Sequence, residues 1–273
     1  MRKLWCIVWA FAFSASMVAC GSSASSDLEE NENGSLDTTV VNEDFMNMSY
    51  SKEAYPDLSA EEYANFRVVE TSGMGRGVLY RSSSPISPNI GRNLEADSLS
   101  KNAGIAVFIN LADSESDISF FEGYAESYYA TQKVAFLGVP ADYTNDAFKE
   151  GLAEGLRFMA QNEGPYLVHC TYGKDRTGFS IAVLEALMGA TMEEIKEDFL
   201  KTYTNFYNVV DGRQIPLTES QQEYVKGLIA NVLGLIFADF GDLDLASAAE
   251  AYLLTLGLSQ SEIEALKARL GGE

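Results

Sequence analysis

The sequence predicts an α/β fold in which a central, mostly parallel sheet is flanked by helices and followed by a C-terminal helical extension. Between residues 50 and 210, short apolar runs of strand length alternate with longer segments whose apolar residues recur at helical spacing. From residue 221 onward the spacing is helical throughout. The chain has 273 residues, 47% of them hydrophobic, which is ample for one core.

The strands and helices follow in order along the chain. Two strands at 66–69 and 77–80 are separated by Gly73-Met74-Gly75, which is typical of a hairpin. Further strands are predicted where apolar runs are short, at 105–111, 134–139 and 166–168. Helices are predicted at 93–103, 115–129, 147–162 and 179–188, from a capping box at 191–194 toward 203, and at 221–237, 246–256 and 261–270.

The most informative segment is 169–178, His-Cys-Thr-Tyr-Gly-Lys-Asp-Arg-Thr-Gly, between a predicted strand and a predicted helix. A loop that feeds a helix N-terminus directs backbone N–H groups and the positive end of the helix dipole inward. That potential suits a phosphate dianion and favours a thiolate nucleophile at Cys170. Gly173 permits a tight turn near an anion, and Arg176 offers a planar fork of donors to two phosphate oxygens. Thr177 is placed to offer its hydroxyl to the sulfur.

This run resembles the signature of the protein tyrosine phosphatase superfamily, in the form found in a bacterial branch active on phosphotyrosine, sometimes phosphoserine or phosphothreonine, and phosphoinositides. A weaker likeness spans about 60–210 and includes Leu-Tyr-Arg-Ser-Ser-Ser-Pro at 79–85. Many relatives have Asp-Leu-Arg where this chain has Asn-Leu-Ala at 110–112.

The resemblance implies the fold of cysteine-dependent phosphatases and a reaction through a phosphocysteine on Cys170, without a metal or another cofactor. It implies that Arg176 holds the phosphate and that His169 orients the loop and tunes the thiol. The other members of the implied phosphate-binding loop are Thr171, Tyr172, Gly173, Lys174 and Thr177.

A leaving alkoxide or phenoxide needs a proton, which a carboxylic acid usually supplies. Asp142 is the first candidate, because it follows the predicted strand 134–139 and a proline. Asp175 lies inside the loop and is also expected to take part in catalysis. Asp146 and Asp113 are further candidates, and for each of these acids the alternative is a solvated turn carboxylate or a helix cap.

Two basic residues bear on the substrate. Lys174 is placed to reach a second phosphate, as on an inositol ring, or else is a solvated lysine. Arg81 either faces the site or lies on the surface. We predict a phosphatase that favours phosphotyrosine-type protein substrates, with inositol phosphates or phosphoinositides as the alternative. A rhodanese-like sulfur transferase and a phosphate-binding pseudophosphatase are disfavoured, because Cys170 and Arg176 are both present and spaced for phosphate.

Charge and cysteine usage exclude several other functions. The net charge of −21 argues against binding nucleic acid through the overall field of the protein. A zinc cluster near the loop is not expected, because His169 is the only histidine in the sequence and no other cysteine lies near Cys170. Because Cys6 and Cys20 both lie in the N-terminal segment, Cys170 has no expected disulfide partner.

The N-terminus has the features of an export signal. Arg2 and Lys3 precede an apolar run at 4–18 that is short for a transmembrane helix. Cys20, between Val-Ala and Gly-Ser-Ser, resembles the attachment site of a bacterial lipoprotein, and an ordinary cleaved signal is the alternative. We therefore expect a lipid-anchored protein outside the cytoplasmic membrane. Its predicted segments are a signal peptide at 1–19, a disordered tether at 20–49, a catalytic domain at 50–240 and a helical pair at 241–273.

Overall fold

The computed structural model describes residues 51–207, 209–210 and 213–272, so the predicted signal peptide, Cys20 and the tether lie outside the described residues. Within this part of the chain the strands are β1 (Arg67–Val68), β2 (Leu79–Ser82), β3 (Val107–Asn110), β4 (Lys133–Phe136), β5 (Tyr166–His169), β6 (Val209–Val210) and β7 (Arg213–Gln214). The helices are α1 (Ala60–Ala64), α2 (Asn93–Asn102), α3 (Asp146–Gln161), α4 (Asp175–Leu187), α5 (Met192–Tyr207), α6 (Glu219–Phe237), α7 (Leu245–Thr255) and α8 (Gln260–Gly271).

The main sheet has five strands in the order β1-β2-β5-β3-β4. Strands β2, β5, β3 and β4 are parallel, and β1 is an antiparallel edge strand that forms the expected hairpin with β2. The register aligns Ser82 and Asn110 on either side of His169. Since the carboxyl ends of the parallel strands meet at one edge, the segments that follow β2, β3, β4 and β5 converge there.

The sheet is covered on both faces, which explains why its central strands are apolar at consecutive positions. Side chains alternate along each strand. Val107, Ile109 and Val168 contribute to the larger core, beneath α3 and α4. Phe108 and Leu167 contribute to a smaller core on the opposite face.

Helix α4 lies at the centre of the larger core. Every residue from 177 to 187 is buried, so the helix is covered on all sides by its neighbours. Helices α5, α6 and α7 pack against it, and α8 packs along α3. The end of α8 also reaches the hairpin, where the Gly75 N–H donates to the Leu270 carbonyl oxygen at 2.7 Å. Among the described residues no helix is both long and apolar enough to cross a bilayer.

The fold class and all but one of the predicted elements are confirmed, with ends that shift by about one helical turn or less. The prediction of a helix at 115–129 is wrong. That segment contains three short 3-10 turns, at Asp117–Phe120, Tyr124–Glu126 and Tyr129–Thr131. Local bonds compete with a helix here, because the Ser114 backbone and hydroxyl both donate to Asp117 and Gly123 has a left-handed φ of 79°.

The packing of α7 against α4 generates a stability prediction. Replacing the fully buried Leu253 by alanine should lower the free energy of unfolding by about 2–5 kcal/mol, because a cavity replaces side-chain contacts in the core. Its neighbour Leu254 is 44% exposed, so Leu254→Ala serves as the matched control and should change stability by less than about 1 kcal/mol. Denaturant unfolding measures both, and equal losses would contradict this packing.

Candidate active site

The loop between β5 and α4 carries Cys170 at its start and Arg176 in the first turn of the helix. Cys170 is a free thiol and only 3% exposed. Gly173 has a left-handed φ of +66°, and a Cβ there would lie 2.1 Å from the Ser82 carbonyl oxygen. The loop therefore packs directly on the end of β2, and only glycine fits at this position.

The Arg176 guanidinium connects the loop to the two neighbouring strand ends. Its Nη1 donates to the Leu111 carbonyl oxygen at 3.1 Å and to the Val139 carbonyl oxygen at 3.0 Å. Its Nη2 donates to Thr171 Oγ1 at 3.4 Å, which is a long contact. Segments beyond β3 and β4 are thereby held beside Cys170, as the parallel sheet requires.

His169 is buried directly before the nucleophile and is held by an aromatic hydroxyl. The Tyr129 hydroxyl and His169 Nε2 are 2.8 Å apart, and their rings meet edge to face. Burial lowers the pKa of His169 to about 3, which Arg176 reinforces, while the Cys170 backbone opposes it. The ring is therefore neutral at neutral pH, as suits a residue that orients the loop.

A buried ion network supports the loop from below. Arg81 is 1% exposed, and its Nη2 donates to the Gly173 carbonyl oxygen at 2.9 Å. Its Nη1 binds Asp198 Oδ2 at 2.5 Å, and Arg67 Nε binds the other carboxylate oxygen at 2.9 Å. Asn65 Nδ2 donates to the Tyr172 and Gly173 carbonyl oxygens, both at 3.3 Å. The prediction that Arg81 lies on the surface is therefore wrong, and its contact with the site is through the backbone of the phosphate loop.

The two buried acids of this network, Asp198 and Glu185, have pKa values shifted in opposite directions. The pKa of Asp198 lies well below its usual range, although burial opposes this, because Arg67 and Arg81 bind the ionised form. The pKa of Glu185 lies well above its usual range, because of burial and then of the Asp198 charge. The network thus favours the ionised form of Asp198, between two guanidinium groups, and the protonated form of Glu185.

The candidate acids occupy different environments. Asp142 is exposed, and its Oδ1 accepts from the Thr144 backbone at 2.9 Å and from its hydroxyl at 2.7 Å. The Thr144 hydroxyl bond is the first cause of a lowered pKa for Asp142, so this carboxylate holds no proton near neutral pH. Asp175 is half-exposed and pairs with Lys174 at 3.5 Å. Asp146 is 94% exposed at the start of α3.

Asp113 is the candidate that is enclosed. It is partly buried, and its Oδ2 accepts from Asn110 Nδ2 at 3.2 Å. Burial is the first cause of a raised pKa for Asp113, which the Asn110 bond and the Arg176 charge oppose and the Asp117 charge assists.

Tyr143 is a residue of the site that sequence reasoning missed. Its ring stacks on Phe179 with centroids 4.7 Å apart and planes 17° apart. Burial raises the pKa of Tyr143, and the charges of Asp175 and Cys170 raise it further. The only sequence signal was its position directly after Asp142 in the loop that follows β4.

The remaining loop residues are placed as follows. The ammonium of Lys174 lies 5.7 Å from the centre of the Tyr203 ring. The Tyr172 ring meets the Phe206 ring edge to face at 5.9 Å. Thr177 is fully buried, and its hydroxyl makes no hydrogen bond among the described residues, to the Cys170 sulfur or elsewhere.

No group of three or more His, Cys, Asp or Glu side chains in the described part of the chain is arranged to hold a metal ion.

Comparison with known proteins gives a family match over the catalytic half of the chain. The model of the tyrosine phosphatase family matches residues 128–272, which is more than half of the 273 residues. The match includes the loop between β5 and α4 and continues through α8.

Two individual proteins are also similar. A tyrosine-protein phosphatase of Nostoc commune is 32% identical over 129 residues, which are 42% of this chain and 42% of that protein. The chain thus aligns with less than half of the length of this relative. The crystal structure of the core catalytic domain of the PP-IP phosphatase SIW14 from S. cerevisiae, in complex with citrate, has a TM-score of 0.36 and 16% identity. The alignment covers 66% of this chain and 96% of that domain.

The ion network beneath the loop generates a prediction about stability and pH. Asp198→Asn should lower the free energy of unfolding at pH 7 by about 3–5 kcal/mol, because two buried guanidinium groups lose their carboxylate. The folded-state pKa of Asp198 is depressed, so its contribution is complete above the unfolded pKa of about 3.9 and is lost as the pH falls below it.

Denaturant unfolding of both proteins at several pH values tests this. The stability difference between wild type and Asp198→Asn should shrink progressively below pH of about 4. Asp242→Asn, at an exposed loop position, is the matched control and should change stability by less than about 0.5 kcal/mol. A difference that does not depend on pH would contradict the ionised state of Asp198.

Proposed function

Since the chain belongs to the tyrosine phosphatase family, we propose that it hydrolyses phosphomonoesters through a phosphocysteine on Cys170. The observation that carries this proposal is the loop from Cys170 to Arg176, fixed between the end of β5 and the first turn of α4. Gly173 brings the loop backbone against β2, and Arg81 holds it there. A rigid ring of backbone donors beside a guanidinium group is what phosphoryl transfer needs, because positioning and charge stabilisation supply most of its catalysis.

The reaction proceeds in two displacements. The Cys170 thiolate attacks phosphorus in line with the ester oxygen, and that oxygen leaves with a proton from a carboxylic acid. Water then attacks the phosphocysteine, the S–P bond breaks, and phosphate and the thiolate are released. Arg176 stabilises the phosphoryl oxygens in both steps, and neutral His169 keeps the loop in place through Tyr129. The assignments of the acid to Asp142 and of a catalytic role to Asp175 stay predictions.

Phosphotyrosine-type protein substrates are favoured because the thiol is buried and a partly exposed aromatic ring lies on the loop after β4. Cys170 is 3% exposed, and the partly buried Tyr143 ring stacks on the buried Phe179. A ring at such a position suits a phenyl group that must reach a buried thiol. Lys174 is also the observation that favours inositol phosphates or phosphoinositides as the second candidate class, because its side chain is 22% exposed at the shoulder of the loop.

Phosphate release by the full-length chain in reductant tests the proposal. The substrates are a phosphotyrosine peptide, a phosphoinositide and an inositol polyphosphate. Cys170→Ser should abolish release because a hydroxyl at this position is a far weaker nucleophile, while binding of inorganic phosphate persists. Cys6→Ser, which removes a thiol far from the loop in sequence, is the matched control and should keep wild-type activity. Phosphate binding without release by the wild type would support a pseudophosphatase instead.

We also propose that the chain is anchored by lipid at Cys20 outside the bacterial cytoplasmic membrane, with phosphorylated proteins or inositol phosphates as its substrates. The support is the N-terminal sequence: basic residues, a short apolar run, and a cysteine among small residues. In a bacterial host grown with labelled palmitate, the wild type and Cys6→Ser should carry label and sediment with membranes. Cys20→Ser should lose both properties, and label retained by Cys20→Ser would contradict the proposal.

A further inference from the structure

Resting on the proposed phosphatase reaction, we propose that Asp113 is the acid that protonates the leaving oxygen and that Asn110 is the positioning residue that holds it. Neither residue belongs to the phosphate-binding loop. Both lie at the end of β3, at the edge of the sheet where Cys170 follows β5.

The sheet register places this segment beside the nucleophile. Asn110 pairs with His169, and the Leu111 N–H donates to the His169 carbonyl oxygen at 2.9 Å. The Leu111 carbonyl oxygen in turn accepts from Arg176 at 3.1 Å. The segment that carries Asp113 is thus held on one side by the residue before the thiol and on the other by the phosphate-binding guanidinium group.

Asn110 fixes both the turn and the orientation of the acid. Its side chain is fully buried, and its Oδ1 accepts from the Ala112 N–H at 2.9 Å and from the Asp113 N–H at 3.0 Å. Its Nδ2 donates to Asp113 Oδ2 at 3.2 Å, which leaves Oδ1 to carry the proton. A buried amide can donate to a protonated or an ionised carboxyl group, so it can serve in both halves of the reaction.

The surroundings of Asp113 favour a protonated carboxyl group more than those of Asp142. Burial raises the pKa of Asp113, the neighbouring Asp117 raises it further, and Arg176 and the Asn110 bond oppose the rise. The other polar groups near this turn, the Tyr129 hydroxyl and the His169 ring, are neutral at neutral pH. By contrast, Asp142 is exposed with a lowered pKa, and Asp175 is paired with Lys174.

Over the two displacements, Asp113 gives up one proton and then regains one. In the first, the S–P bond forms, the P–O bond breaks, and the leaving oxygen takes its electron pair and the Asp113 proton. In the second, the Asp113 carboxylate accepts a proton from the attacking water as the O–P bond forms and the S–P bond breaks. Asp113 is then protonated and the Cys170 thiolate is restored, so no other reactant is required.

The test compares leaving groups that differ in their need for a proton. With the full-length protein, Asp113→Asn should lower kcat/KM, which reports the step that expels the leaving group, about 100-fold for phenyl phosphate. For p-nitrophenyl phosphate, whose leaving group is stable without a proton, kcat/KM should fall less than about tenfold. The loss of rate at high pH, where the acid is ionised, should disappear in the variant. Asp113→Glu, which keeps an acid, should recover part of the phenyl phosphate activity.

The matched control is Glu122→Gln, at an exposed position of the same connecting segment, which should retain the wild-type dependence on the leaving group. Wild-type dependence in Asp113→Asn would overturn the proposal, and so would the selective loss appearing in Asp142→Asn or Asp175→Asn instead. Circular dichroism and the thermal midpoint confirm that each variant is folded. If the wild type released no phosphate at all, the proposed function itself would fail, which is a separate outcome.

Asn110→Ala tests the positioning role through the pH profile. Removing a donor to the ionised carboxyl group should raise the pKa of Asp113, so the loss of rate at high pH should begin at a higher pH than in wild type. A reduced kcat with an unmoved profile would mean that Asn110 only stabilises the fold, and would overturn its part of the proposal.

Discussion

The buried contact between Arg81 and the Gly173 carbonyl oxygen is the constraint on which the site depends. It joins the strand hairpin to the phosphate loop, and Asp198 from α5 fixes the same guanidinium group from the other side. Because ions removed from water are costly unless they are fully paired, this arrangement tolerates little displacement of any partner. Separate elements of the fold therefore set the position of the loop together, and they act on it through the backbone carbonyl group of Gly173.

The parallel strands bring the other parts of the candidate site next to this fixed loop. Each strand end contributes one part: β5 the thiol, β3 the turn of Asp113, and β4 the segment that leads to Tyr143. Arg176 ties two of these ends together through the carbonyl oxygens of Leu111 and Val139. Specificity and proton transfer can thus change through the segments after β3 and β4 while the loop itself stays fixed.

Much of this could be predicted from the sequence, and the exceptions have physical reasons. The motif at 169–178 predicted the family, which the family match confirms, because its chemistry is local. The same motif predicts the nucleophile and the phosphate-binding arginine. The strands and helices followed from apolar spacing, except at 115–129, where side-chain bonds from Ser114 to Asp117 replace helical ones. The burial of Arg81 was missed because its partner, Asp198, is 117 residues away in sequence. The environments of Asp113 and Asp142 depend on side-chain orientation and burial, which spacing along the sequence does not give, so the choice between them stays open to the experiments above.

The bond between Gly75 and Leu270 has a consequence for the order of events during synthesis. The hairpin that supports the phosphate loop emerges early from the ribosome, whereas the helices that cover α4 emerge last. Until α7 is made, the buried helix α4, which carries Arg176, lacks part of its cover. Until α8 is made, α3 lacks the helix that packs along it and Gly75 lacks its bond to Leu270. The core beneath the phosphate loop is therefore complete only when the whole helical extension has folded, so this loop is expected to become fixed late in the folding of the domain.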